Sequence, residues 1–334
     1  MNPARSSQRQ FEKTKLMMVN NGKISHTTVS SLTAFLSDGD LLVVNASGTL
    51  PSSFRGTVRG QPIEIRLAAF RGPSTADLRN WSAVSFGEGN WRTDTEQRGP
   101  PPALIRGDVI RISDSLEILV KDICPHSSRL IHVEFNSNNL IQDLFQNGKP
   151  VQYSYLQEEL QLWDQQTLFA GPPISVEPPS AAFPFTWDLV LKLKQKGVTI
   201  APLLHSAGLS STGDPTLDTR LPLEEYYEIP QRTWRRIQNI RNNRVVALGT
   251  SVVRAVESAF IKGQRHGLTD LKIGPHTPIH AVDVLITGMH AEGTSHAELM
   301  KAFSDGDLLR AAEQQAERLN YRSHEFGDLT LLAK

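Results

Sequence analysis

The hydrophobic pattern divides the chain into three textures. Residues 28–36, TVSSLTAFL, have helical spacing and are followed by an apolar strand, DLLVVN, at 40–45. From about residue 55 to 135 the apolar positions come in short runs: IEIRLAAF, WSAVSF, VIRIS, LEILVKDI and LIHVEF. These runs are rich in β-branched and aromatic residues, several alternate with period two, and turn-rich pieces such as RGPSTAD separate them, so they predict a small barrel or sandwich. From residue 186 helices and strands alternate. TWDLVLKLKQKG predicts a helix with Thr186 as N-cap and Gly197 as stop, and VTIAPLLH a strand. RVVALG, AVDVLITG and DLTLLA predict further strands, with helices in SVVRAVESAFIKG and HAELMKAFSDGDLLRAAEQQAERL. Such alternation predicts an α/β domain on a largely parallel sheet, interrupted by a small antiparallel β-barrel insertion. The expected division is 1–54 with 153–334 for the α/β domain and 55–152 for the barrel.

Composition narrows the function classes. Lys+Arg and Asp+Glu both number 35, so nucleic-acid binding would need a local patch. A single cysteine, Cys124, excludes an internal disulfide and any multi-cysteine zinc site. No apolar run reaches the roughly 18 residues of a membrane span, and the N-terminus MNPARSSQRQFEKTK lacks a signal-peptide core. A cytoplasmic protein, with no membrane partner and a monomeric state, is expected.

Ligands of an α/β sheet collect beyond the carboxyl ends of its strands. Four such ends are densely polar here. LLHSAGLSST carries His205 and Ser206, and LGTSVVR joins a strand to a helix through Thr250 and Ser251, with Arg254 in the first turn. A small-residue turn at a helix N-terminus offers backbone N–H groups to a carboxylate or phosphate, although many such turns hold no ligand. LITGMHAEGTSH carries Thr287, His290, Glu292 and His296, and YRSHEFGD carries His324, Glu325 and Asp328.

In the third of these loops the order is His-x-Glu-x3-His, which is not the one-turn spacing of HExxH, and the cysteine pair of zinc deaminases is absent. A metal site is therefore disfavoured, and none is expected. Thr294 or Ser295 capping the next helix beside two exposed histidines is one alternative. A loop that holds a neutral histidine against substrate is the preferred one.

Seven blocks in order resemble the S-adenosylmethionine:tRNA ribosyltransferase-isomerase family of queuosine biosynthesis: GDLLVVN with LPSSFRG, PPSAAFPFT, LLHSAG, EEYYEIP, VVALGTSVVRAVES, VDVLITGMHAEGTSH and YRSHEFGD. The resemblance covers nearly the whole chain and is weakest in the middle. It implies an α/β domain interrupted by a barrel. It also implies attack by the aminomethyl group of a 7-deazaguanine in tRNA on the ribosyl group of S-adenosylmethionine. Ring contraction then gives epoxyqueuosine, with adenine and methionine released and no metal. His205 and His290 match as titratable candidates, and Thr250, Ser251 and Arg254 match as the carboxylate cradle. Thr186, Thr287 and Asp328 also sit at family positions, while Ser206, His324 and Glu325 are expected to line the substrate.

Several loop positions depart from the family pattern. Its Asn-Asp-Thr-Arg is Asn45-Ala46-Ser47-Gly48, its Leu-His-Phe-Thr is Phe183-Pro184-Phe185-Thr186, and a histidine position is Leu223. Glu292, His296, His324 and Glu325 are gained, a pattern of altered recognition. The alternatives are a transferase or lyase that consumes S-adenosylmethionine on a small molecule, or a non-catalytic nucleoside- or tRNA-binding paralogue. Finally, IPQRTWRRIQNIRNNR at 229–244 holds five arginines and no acid. On a helix, Arg232, Arg235 and Arg236 share one side while Trp234, Ile237 and Ile240 face the core, so this helix is expected to contact tRNA phosphates near the pocket.

Overall fold

A computed structural model describes residues 1–7 and 11–334. Its centre is a nine-stranded mixed sheet. From one edge to the other the order is His266–Thr269, Glu225–Glu228, Thr199–His205, Leu41–Asn45, Val245–Leu248, Val284–Gly288, Leu329–Ala333, Lys15–Asn20 and Lys23–Thr28. The four strands from Thr199–His205 to Val284–Gly288 run parallel, and antiparallel pairs flank them. The parallel character is thus confined largely to the centre.

The central strands read as unbroken apolar runs because both faces of the sheet are covered. Leu41, Val43, Val245 and Ala247 pack on one face with residues of the helix Thr250–Lys262 and with Ala312 and Ala316 of the helix Gly306–Arg318. Leu42, Val44, Val246 and Leu248 pack on the other with Leu189, Val190 and Leu193 of the helix Trp187–Gln195. That helix starts as expected: Thr186 Oγ1 accepts the Leu189 N–H at 3.2 Å, and Gly197 follows its end with φ of 90°. The helix-like segment 28–36 is a 3-10 helix over Val29–Ala34. Among the described residues, no helix is long and apolar enough to cross a membrane.

Six antiparallel strands close into a barrel, in the order Glu117–Ile123, Leu130–Asn136, Asn80–Phe86, Gln61–Phe70, Ser53–Val58 and Val109–Arg111. Closure removes the unpaired edges that short strands would otherwise expose. Phe54, Phe70, Trp81, Phe86 and Phe135 fill the interior. Phe70 meets Trp81 edge-on at 5.0 Å and Tyr226 of the large sheet at 5.6 Å, so one ring ties barrel to sheet. The loop after His205 presses on the barrel where Leu209 N–H donates to Ala68 O at 3.2 Å. Only glycine fits at 208, since a Cβ there would sit 2.3 Å from that carbonyl oxygen.

Candidate functional site

The carboxyl ends of the parallel strands bring Asn45, His205, Gly249 and Thr287 to one edge of the sheet. Asn45 is the tie between the first two strands. Its Nδ2 donates to His205 O at 2.9 Å, and its Oδ1 accepts from His205 N–H at 3.1 Å and from the Ser47 hydroxyl at 3.0 Å. A side-chain amide thus continues the ladder past the point where the two backbones diverge. Ser47 also meets Ser175 at 2.6 Å, so the altered segment 46–48 supports the site from below.

Beyond the strand Val284–Gly288 lies the histidine loop. His290 Nε2 is 2.9 Å from the Thr287 hydroxyl, and its ring stacks on His296 at 4.6 Å with planes 14° apart. Burial, then the neighbouring His296 and His324, hold His290 well below the usual histidine range. Burial and Arg254 push His296 down to about 4. Both rings are therefore neutral near pH 7, and both residues are half-buried. Because the two rings lie face to face, their nitrogen lone pairs lie in near-parallel planes and do not converge on one point, unlike a chelating pair. Thr294 caps the next helix by accepting Ala297 N–H at 3.2 Å. The capping alternative is thus true of Thr294, while the histidines are packed together rather than solvated. His290 borders a cavity of about 60 Å³ whose walls include Met1, Met17, Met289, Met300, Leu309 and Glu292.

Four expected site residues, two of them expected to be catalytic and two to bind substrate, are committed to structure. Arg254 is 7 % exposed and so does not lie on a solvent-facing side of its helix. Its guanidinium pairs with Glu225 and donates to Leu271 O at 2.9 Å, so it is consumed inside the protein and is not aimed at the helix tip. Glu257, three residues further along the helix, accepts backbone N–H bonds from His280, Ala281 and Val282. Ser206 is fully buried and donates to Ile174 O at 2.6 Å. His205 is 1 % exposed, both its ring nitrogens lack hydrogen bonds, and Glu225 lies 3.4 Å from Nε2. Burial, then Arg254, keeps it well below the usual range, so it is a neutral interior ring. Asp328 accepts the N–H groups of Lys15 and Arg322, both at 2.8 Å, and so fastens the first long strand to the last loop.

Of the expected anion cradle, the turn itself remains. Gly249 has φ of 101°, a conformation that glycine adopts without strain, and it precedes Thr250 at the helix start. Ser251 Oγ accepts from Asn45 Nδ2 at 3.4 Å, which joins this turn to the Asn45 network. His324 is exposed, has φ of 67° and stacks on Tyr155 at 4.4 Å, while the Tyr155 hydroxyl donates to Glu325. Trp234, Ile237 and Ile240 pack against the core, and Arg232 and Arg235 are exposed with Arg236 half-buried. That helix, Gln231–Asn239, runs from Thr233 beside Pro202 towards Arg244, which pairs with Asp40 at the amino edge of the sheet. It leads away from the strand-end loops, which corrects the expectation that it borders the pocket.

Glu225, Gln165, Glu177, Tyr153 and Tyr155 were not singled out by sequence. Glu225 stands in the EEYYEIP block, a signal that pointed to it; the other four stand in no motif, and only folding brings them to the loop containing Glu325.

The family model described as queuosine biosynthesis protein matches residues 2–332. An S-adenosylmethionine:tRNA ribosyltransferase-isomerase from Chlorobium phaeovibrioides is 30% identical over 340 residues, covering 96% of this chain and 93% of that protein. The enzyme of the same name from Natranaerobius thermophilus is 28% identical over 329 residues, covering 95% and 91%. A crystal structure of S-adenosylmethionine tRNA ribosyltransferase from Thermotoga maritima superposes with a TM-score of 0.52 at 24% identity, over 98% of this chain and 95% of that one, a likeness of fold.

Proposed function

Because the chain belongs to the queuosine biosynthesis protein family, we propose that it is an S-adenosylmethionine-dependent tRNA ribosyltransferase-isomerase. It moves the ribosyl group onto a 7-aminomethyl-7-deazaguanine in tRNA to form epoxyqueuosine, with adenine and methionine leaving. The observation that carries the reading is His290: a neutral imidazole fixed by Thr287 at a strand end, beside an apolar cavity of about 60 Å³. The reaction needs a base for the proton beside the sulfonium, and a neutral imidazole is available for that without first losing a proton. The turn at Gly249–Ser251 is the candidate for the methionine carboxylate, by its backbone N–H groups rather than by Arg254. Residues 1–54 and 153–334 serve as the catalytic unit and 55–152 as the inserted barrel.

Incubating purified protein with S-adenosylmethionine, with and without precursor-modified tRNA, and quantifying adenine tests this. Adenine formed only with tRNA supports the reading. Adenine without tRNA points instead to a transferase or lyase acting on a small molecule, and no adenine to a binding paralogue.

A further inference from the structure

A second, smaller cavity lies where three distant stretches of chain meet. Gln152, Gln165, Glu177, Glu325, Tyr153 and Tyr155 line it together with apolar residues, and among the described residues no lysine or arginine does. Its volume is about 10 Å³, room for one water-sized group. Gln165 is 3 % exposed; its Nε2 donates to Val151 O at 2.7 Å, while its buried Oε1 has no partner among the described residues. Glu177 Oε1 takes the Ser210 N–H at 2.8 Å, the Ser210 hydroxyl at 2.9 Å and the Tyr153 hydroxyl. Glu325 Oε2 takes the Tyr155 hydroxyl.

The hydroxyl donors are spent on single oxygens and the Gln152 amide is bonded to the backbone of Glu158 and Leu160, so the unused capacity at the cavity is that of acceptors on Gln165 and the two carboxylates. Burial, then the charge of Glu325, pushes Glu177 up to about 7. An unpartnered buried acceptor is destabilising, and two carboxylates in one enclosure repel. Both penalties are relieved by one small cation with several N–H donors. A primary ammonium has three donors on a nitrogen the size of a water. The neighbouring wall is aromatic: Tyr153 stacks on Tyr155 at 6.2 Å, and Tyr155 on His324 at 4.4 Å.

We propose that Gln165, Glu177 and Glu325 hold the ammonium end of an arylmethylammonium group, with the tyrosine wall beside its ring. Only the identity of the natural ligand, an aminomethyl-bearing base, rests on the function proposed above. The test uses benzylamine and benzyl alcohol at pH 7, titrated into the full-length protein by NMR or calorimetry. Benzylamine should bind at least about tenfold more tightly, as expected when a charged hydrogen-bonded group is lost from the ligand. Glu177→Gln and Glu325→Gln should each bring the two affinities closer together, with unchanged melting temperatures confirming the fold. Equal affinities in the wild type, or an unchanged ratio in both folded variants, would overturn the proposal. Adenine release by the wild type is scored separately: release without amine preference sinks the cavity alone, and amine preference without release sinks the proposed reaction alone.

Discussion

His290 lies flat against His296, with ring centroids 4.6 Å apart, and so neither ring gains a proton without placing a charge beside the other. The pair is a neutral acceptor surface at the strand end, with Thr287 holding His290 by its other flank.

His290→Ala is expected to lower turnover by on the order of 10²–10⁴-fold, the range for a general acid or base. S-adenosylmethionine affinity and melting temperature should change little, because His290 is only half-buried. A full rate in the alanine variant would remove His290 from the chemistry.

The depressed histidines also set a pH dependence. The ordinary value is 6.5, and His290 lies well below it and His296 near 4 in the folded protein. Below 6.5 the unfolded chain binds these protons first, so their contribution to stability is full above 6.5 and is lost as pH falls towards 4. Denaturant midpoints should therefore decline across that window. kcat/KM should stay level through pH 6.5, and its acid limb should move to higher pH in His296→Phe, which keeps the stacked ring but removes the neighbouring charge. A limb at 6.5 in both proteins would contradict the stacked arrangement.

Arg254→Ala is expected to destabilise the fold rather than to weaken ligand binding selectively. It would strand Glu225 in the interior, and breaking a buried pair costs about 3–5 kcal/mol. Urea unfolding measures this. A loss below about 0.5 kcal/mol would mean that the guanidinium is not buried as described, and would restore it as a ligand group.

Arg235 and Arg236 are the residues that the sequence pattern singles out for contact with tRNA phosphates. Replacing both with alanine should flatten the log–log salt dependence of tRNA binding by roughly 1–2 units. An unchanged affinity and slope would show that tRNA docks elsewhere, which the helix's course to the amino edge makes a sharp test.

Periodicity and turn chemistry by themselves determined much of this protein. The apolar runs at 40–45 and 244–249 announced buried parallel strands, since only strands covered on both faces read that way. The alternating runs from 63 to 135 announced a barrel, and Thr186 and Gly197 bracketed a helix, because caps and pleats are local properties of the backbone. The hairpin Lys15–Asn20 with Lys23–Thr28 shows little in the hydrophobic pattern, although Asn21 and Gly22, with φ of 49° and 73°, supply a turn signal. Its polar outer strand conceals the period.

What individual side chains are free to do was decided only by the tertiary structure. Arg254 looks like an anion ligand in its turn, yet Glu225, 29 residues away, claims it. Ser206 and Asp328 look exposed at their loops, yet Ser206 bonds to the backbone of Ile174 and Asp328 to that of Lys15 and Arg322. Conversely, Gln165, Glu177 and Glu325 share no motif and become one cavity only because separate loops are packed together. The physical reason is range: backbone conformation answers to the nearest few residues, whereas a polar side chain's availability depends on every partner within hydrogen-bonding reach, and most of those arrive from elsewhere in the chain.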